Sequence, residues 1–232
     1  MKPQLRNTKA LRLGLLLALS SIALAPAQAS TMYSNLGSPP QFDQQNGWVV
    51  DGGVVAGQML AVAFTPSYTE GFADAQLALG MIFTNLAGPP IDVYLATDSS
   101  GLPGGSLASL VLANGQSIGP FPPGNLATYV CSGGCPLLFA GAQYWLVVQI
   151  PNLDPDHFNS QAEWNWNVTN DYASGTNFAF NDTQFGAGWQ FSDPSNLRPA
   201  FQIDSVPEPA SLVLLGTGVL GVIGATRRRF RG

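Results

Sequence analysis

Between Ser30 and Asp204 apolar residues recur with a period near two, in short runs bounded by Gly, Pro, Asn and Asp. Alternation of that period sends successive side chains to opposite faces of an extended chain, so the pattern predicts β-strands. It places them over 59–64, 76–83, 91–96, 106–113, 127–131, 143–150, 163–168, 177–180, 189–191 and 200–203. The clearest alternation, Glu163-Trp164-Asn165-Trp166-Asn167-Val168, assigns Trp164, Trp166 and Val168 to a core face and Glu163, Asn165 and Asn167 to a wet one. By contrast, Tyr144 to Ile150 is apolar at nearly every position, as expected of a central strand covered on both sides. About ten short strands and no long amphipathic helix predict an all-β domain, an antiparallel β-sandwich of jelly-roll-like form.

Both ends of the chain break this pattern. Residues 1–29 carry Lys2, Arg6, Lys9 and Arg12 ahead of an apolar stretch from Leu13 to Ala25, and end in Ala27-Gln28-Ala29. Small residues three and one positions before a cut are what signal peptidase requires, so this segment reads as a signal peptide and the mature chain as beginning at Ser30. The opposite end has three parts: Val206-Pro207-Glu208-Pro209, then 17 uncharged residues from Ala210 to Thr226, then Arg227, Arg228, Arg229 and Arg231. At about 1.5 Å per residue the uncharged run spans roughly 25 Å as a helix, the short end for crossing a bilayer. The arginines would stay on the cytoplasmic side, which sets the preceding domain outside the cytoplasm. Pro207 and Pro209 remove two backbone donors around Glu208 and favour an extended, accessible segment. The organisation expected is a signal peptide at 1–29, an extracytoplasmic β domain at 30–204 and a tail with one transmembrane helix at 205–232.

The order of motif, apolar run and arginine cluster resembles the PEP-CTERM sorting signal of Gram-negative bacteria. The resemblance implies recognition by an exosortase at Pro207, Glu208 and Pro209, cleavage close by, and a precursor tethered to the inner membrane until it is released to the cell surface or matrix. Within the tail, Gly216-Thr217-Gly218-Val219-Leu220-Gly221 matches a dinucleotide-binding turn, but no βαβ unit can follow it and no acidic residue lies downstream to hold a ribose hydroxyl. Close packing of small residues in a membrane helix is the simpler use of these glycines.

Charge is unevenly spread. Eight of the nine Lys and Arg residues lie in the two ends, and between Ser30 and Asp204 the sole cation, Arg198, faces 11 Asp and two Glu, a formal charge of −12. Such a surface repels phosphate backbones and excludes nucleic-acid partners. It suits cations and neutral sugars. The two cysteines, Cys131 and Cys135, enclose Ser132-Gly133-Gly134, and in an exported chain that spacing predicts one small disulfide loop.

Catalytic constellations are absent. The single imidazole, His157, sits in the turn-like segment from Asn152 to Phe158, and no G-x-S-x-G elbow accompanies it. Glu163 has no spaced glutamate partner for glycoside hydrolysis. The chain therefore reads as a non-enzyme. Calcium is the one cofactor the acidic loops admit, with Asp98 near Gly101, Asp154 with Asp156, and Asp171 with Asp182 as candidate ligands, although none completes a known loop pattern. For a sugar face, the aromatics in Gly- and Asn-rich stretches are Trp48, Tyr172, Phe185 and Trp189.

Four segments, Tyr33 to Gly37, Ala61 to Pro66, Ile91 to Gly104 and Ala140 to Leu146, look like the choice-of-anchor domains that precede variable C-terminal anchors. That resemblance carries no catalytic residue with it. The expectation is an exported envelope or matrix protein of structural or interaction role, with exosortase and signal peptidase as processing partners. Its alternative is a carbohydrate- or calcium-binding module that meets envelope polysaccharide.

Overall fold

The longest strand organises the others. In the computed structural model, which describes residues 29–52, 57–83, 91–151, 161–174, 177–182 and 188–206, β4 (Glu70–Phe83) runs for 14 residues. One edge pairs with β8 (Asn125–Cys131) over residues 74–79. The other edge is shared: β11 (Gln161–Asn167) pairs with the C-terminal half and β14 (Phe201–Ser205) with the N-terminal half. From β11 the ladder continues through β2 (Phe42–Gly52), β3 (Gly57–Phe64), β10 (Tyr144–Gln149), β5 (Asp92–Ser99) and β6 (Leu102–Leu112) to β8, every neighbour antiparallel. Because β8 also pairs with β4, the eight strands close into a barrel.

The all-β antiparallel class is as expected, while the closed barrel corrects the expected jelly-roll-like sandwich. A period of two reports which side chains share a face, and it is the same for a sandwich and a closed barrel. Closure depends on the length of β4, which holds partners at both edges. Closure also gives every strand of this ring two neighbours, although β2 meets β3 and β6 meets β8 over only a few residues.

Shorter elements are added to the ring. β1 (Thr31–Ser34) pairs with β14, and the hairpin of β12 (Phe178–Asp182) and β13 (Trp189–Phe191) pairs with β3. β7 (Gly119–Pro120) and β9 (Leu137–Leu138) lie on β4, β7 in parallel. The ten predicted strands each have a counterpart, with β4 beginning six residues earlier than the pattern gave. β1, β2, β7 and β9 were not predicted. The most surprising is β2, 11 residues long, whose Asp43-Gln44-Gln45-Asn46-Gly47 has turn composition. Gly47 explains part of it, since a Cβ there would lie 2.5 Å from Glu163 Cγ and 2.6 Å from Trp164 O. Only glycine lets β2 approach β11 so closely.

The interior is filled by one set of alternating positions, among them Leu60, Val62, Leu77, Leu79, Leu95, Leu146, Trp164, Phe201 and Ile203, all fully buried. The opposite faces of β3, β10 and β5 carry a second cluster of Ala61, Ala63, Ala96, Trp145 and Val147, against which Ala179, Tyr94, Leu102 and Trp189 pack. Cover on both sides is what the continuous apolar run of β10 anticipates, and the β12–β13 hairpin supplies it.

The wet face expected for β11 is not wet. Asn165 and Asn167 are buried, Glu163 is nearly so, and Val168, expected in the core, is exposed. These polar side chains face segments that cross the strand. Asn165 Nδ2 donates to Asp43 O at 2.8 Å, and Asn167 Nδ2 donates to Asp171 O and Arg198 O. Asn167 Oδ1 in turn accepts from the backbone N–H groups of Thr169 and Asp171. Buried amides of this kind substitute for backbone pairing where loops leave the ladder.

Candidate functional site

Two polar constellations stand out, and the first joins the ends of the domain. Ser205, the last residue of β14, is fully buried. Its backbone N–H donates to Ser30 O at 2.8 Å, and its hydroxyl lies 2.8 Å from Ser30 Oγ. The Tyr68 hydroxyl lies 2.9 Å from both Ser30 Oγ and Thr31 O, and Thr31 Oγ1 donates to Asp204 at 2.8 Å. The residue expected to begin the mature chain is therefore held against the first residue of the expected tail. One step further, Val206 N–H donates to Gly71 O at 2.8 Å, while the Val206 side chain is exposed.

The second constellation surrounds Arg198, buried and 4% exposed. Its Nη1 donates to Asp171 Oδ2 at 2.8 Å and to the Tyr33 hydroxyl at 2.6 Å, and its Nη2 donates to Ala63 O. Tyr33 donates to the same Asp171 oxygen at 2.9 Å, as does Asn35 Nδ2 at 3.0 Å. The guanidinium carbon lies 5.4 Å from the centre of the Tyr33 ring and 5.7 Å from that of Phe201, and these two rings stack at 4.8 Å. Burial pushes the Tyr33 hydroxyl up to about 12, with Asp171 adding to the shift and Arg198 opposing it. Tyr33 therefore remains a neutral donor. The arrangement ties β1, β3, the segment after β11 and the approach to β14 into one knot. It is a largely buried ion pair in which Nη1 and Nη2 are engaged, while Nε is buried with no hydrogen-bond partner among the described residues.

The candidate calcium ligands fall into different places. Asp98 Oδ1 accepts from Trp145 Nε1 and Gln143 Nε2, both at 2.9 Å, and Oδ2 from Gly101 N–H at 3.0 Å. A cation at Asp98 would displace donors that anchor the buried Trp145. Asp171 is engaged with Arg198, and Asp182 ends β12. Among the described residues no three His, Cys, Asp or Glu side chains stand together to hold a metal. Asp154, Asp156 and His157 lie outside the described residues.

Of the sugar-contact candidates, Trp48 is a packing residue. Its ring meets Trp166 at 5.7 Å and Phe178 at 5.6 Å, and its Nε1 donates to Leu197 O at 2.7 Å. Tyr172, 48% exposed, bridges through its backbone to the same Leu197. Trp189 packs on the outer cluster. Phe185 lies outside the described residues.

Glu163 is nearly buried, and burial together with Asp43 pushes its carboxyl up, against a hydrogen bond from Gly47 N–H. Cys131 and Cys135 form a disulfide, their Cα atoms 5.6 Å apart. The knot at Arg198 was not foreseen. Its signal was the isolation of one cation among 13 carboxylates, since a lone guanidinium in such a domain has every reason to be paired and buried.

Residues 1–28 and 207–232, which hold most of the expected signal peptide and tail, lie outside the described residues, and among the described residues no helix is long and apolar enough to cross a membrane. No curated protein matches the chain. Residues 205–229, however, match the family model of the PEP-CTERM protein-sorting motif. That motif implies processing by an exosortase and export to the cell envelope or surface. The chain thus carries a PEP-CTERM sorting motif, which begins at the last residue of β14, the strand that pairs with β4 alongside the closed barrel.

Proposed function

We propose that the protein is a non-catalytic envelope or matrix component, whose barrel is delivered across the inner membrane, held there briefly by the tail, and then released. The observation that carries this reading is the position of the sorting motif, which begins at Ser205 where β14 ends. In this reading residues 1–29 are a signal peptide, and the 17 uncharged residues from Ala210 are a transient transmembrane helix. Arg227, Arg228, Arg229 and Arg231 keep that helix oriented until cleavage beside Pro207, Glu208 and Pro209. A domain of formal charge −12 with its only cation buried is suited to neutral polymers and remains soluble at a crowded surface.

Protease accessibility on intact cells of the native host tests the reading. The wild-type barrel should be surface-exposed and free of the inner membrane. Replacing Pro207, Glu208 and Pro209 together by Ala should leave it in the inner-membrane fraction, facing the periplasm. Equal surface exposure of both would refute it.

A second reading, a sugar-binding module, is favoured by Tyr172, which lies exposed beside the Trp48 and Leu197 contact. A pulldown with envelope polysaccharide, with Tyr172→Ala as control, tests it. Binding that the substitution does not weaken would move any sugar site elsewhere.

A further inference from the structure

The barrel is well packed, yet three large apolar side chains remain open where the chain leaves it. Leu137 is 52% exposed, Phe139 56% and Val206 46%. Leu138 between the first two is fully buried, so alternation sends Leu137 and Phe139 outward together. Leu137 is the register partner of Gly71, and directly paired residues share a face. A Cβ on Gly71 would meet Val206 Cγ2 at 3.4 Å, so Val206 occupies that same face. The missing side chain of Gly71 leaves Leu137 and Val206 to form one surface with Phe139. Its backbone is fixed: Phe139 N–H donates to the Tyr144 hydroxyl at 3.0 Å, and Ala140 N–H to Thr69 Oγ1 at 2.9 Å.

We propose that this patch docks on the lipid bilayer while the precursor is tethered. The inference rests on the membrane-tethered reading of the tail. Only Pro207, Glu208 and Pro209 separate Val206 from the uncharged run, and the four residue steps to Ala210 reach at most about 14 Å. The patch is therefore confined to the lipid interface by its own connection. Attraction to anionic headgroups is not available to it, since the only cation between Ser30 and Asp204 is buried. Apolar insertion is the contact left to an acidic domain at that distance. Docking would fix the barrel's orientation and present the Pro-Glu-Pro segment at a constant height. Cleavage of the tail removes the confinement and lets the barrel leave.

The test uses the full chain at one copy per phosphatidylcholine nanodisc, with Phe139→Trp as a reporter and Val168→Trp as the control. Val168 is exposed and adjoins Asn167, whose N–H bonds Arg198 O, eight residues before Val206 and beyond the opposite end of β14 from it. Bromine on the lipid acyl chains should quench the added emission of Phe139→Trp by half or more and that of Val168→Trp by under a tenth. Equal quenching of the two in chains that remain with the disc would overturn the docking and leave the tether intact. Failure of the full chain to enter the disc would instead sink the tethered reading and the docking with it. Protection of the patch that appears only at two copies per disc would assign it to a second chain and overturn lipid as its occupant.

Discussion

The hydroxyls of Ser30 and Ser205 lie 2.8 Å apart, and Ser205 N–H donates to Ser30 O at the same distance. These residues are 175 positions apart in sequence, and each adjoins a segment expected to be cut away. The domain therefore ties together the two residues that border the segments expected to be removed. Ser205→Ala should lower the unfolding free energy by about 1 kcal/mol and increase trimming of residues 30–34 by exopeptidase. A urea titration together with N-terminal sequencing checks both.

Arg198 should be the most sensitive polar position. Removing it leaves the half-buried Asp171 carboxylate and the buried Tyr33 hydroxyl without their cation, and breaking such a pair costs about 3 to 5 kcal/mol. Arg198→Ala should lower the urea midpoint accordingly. Arg198→Lys should recover only part of it, because one ammonium cannot reproduce the fork that reaches Ala63, Tyr33 and Asp171.

Asp74 and Asp204 oppose each other across β4 and β14. Asp204 accepts from Thr31 and Gln202, whereas Asp74 Oδ1 is buried with no hydrogen-bond partner among the described residues. Burial, and next the Asp204 charge, push the Asp74 carboxyl up. The folded state thus holds this proton more tightly than the unfolded chain. The stability it contributes is fully present below the ordinary carboxylate range and is lost as pH rises through the elevated value. Asp74→Asn should be more stable than wild type at pH 7 by up to about 1 kcal/mol, and the advantage should shrink toward pH 4. Urea midpoints of the two proteins across that range decide it.

The Cys131–Cys135 disulfide closes a loop of a few residues. Mature protein, denatured without reductant, should show no reactive thiol. Replacing both cysteines by Ser should cost about 2 kcal/mol or less on the loop-entropy scale.

What the sequence revealed depended on how local the cause was. The tail was legible because a motif, an uncharged run and four arginines are each defined by composition alone. β10 was legible because its apolar residues are continuous and both of its faces are covered. β2 was hidden, since its Asp43 to Gly47 half resembles a turn and is held extended by β11 through close approach at Gly47. Asn165 and Asn167 obeyed the alternation, but alternation assigns a side and cannot say which loop will cover it. The barrel's closure and the Arg198 knot both join segments far apart in the chain, and no short window of sequence contains them.

Intact-mass analysis of the protein isolated from the surface of its native host tests most directly whether this barrel is an exported product bounded by two cuts. The account predicts a chain that begins at Ser30 and has lost Leu212 to Gly232. A surface product that still carries Leu212 to Gly232 would contradict it, and would make the tail a permanent anchor.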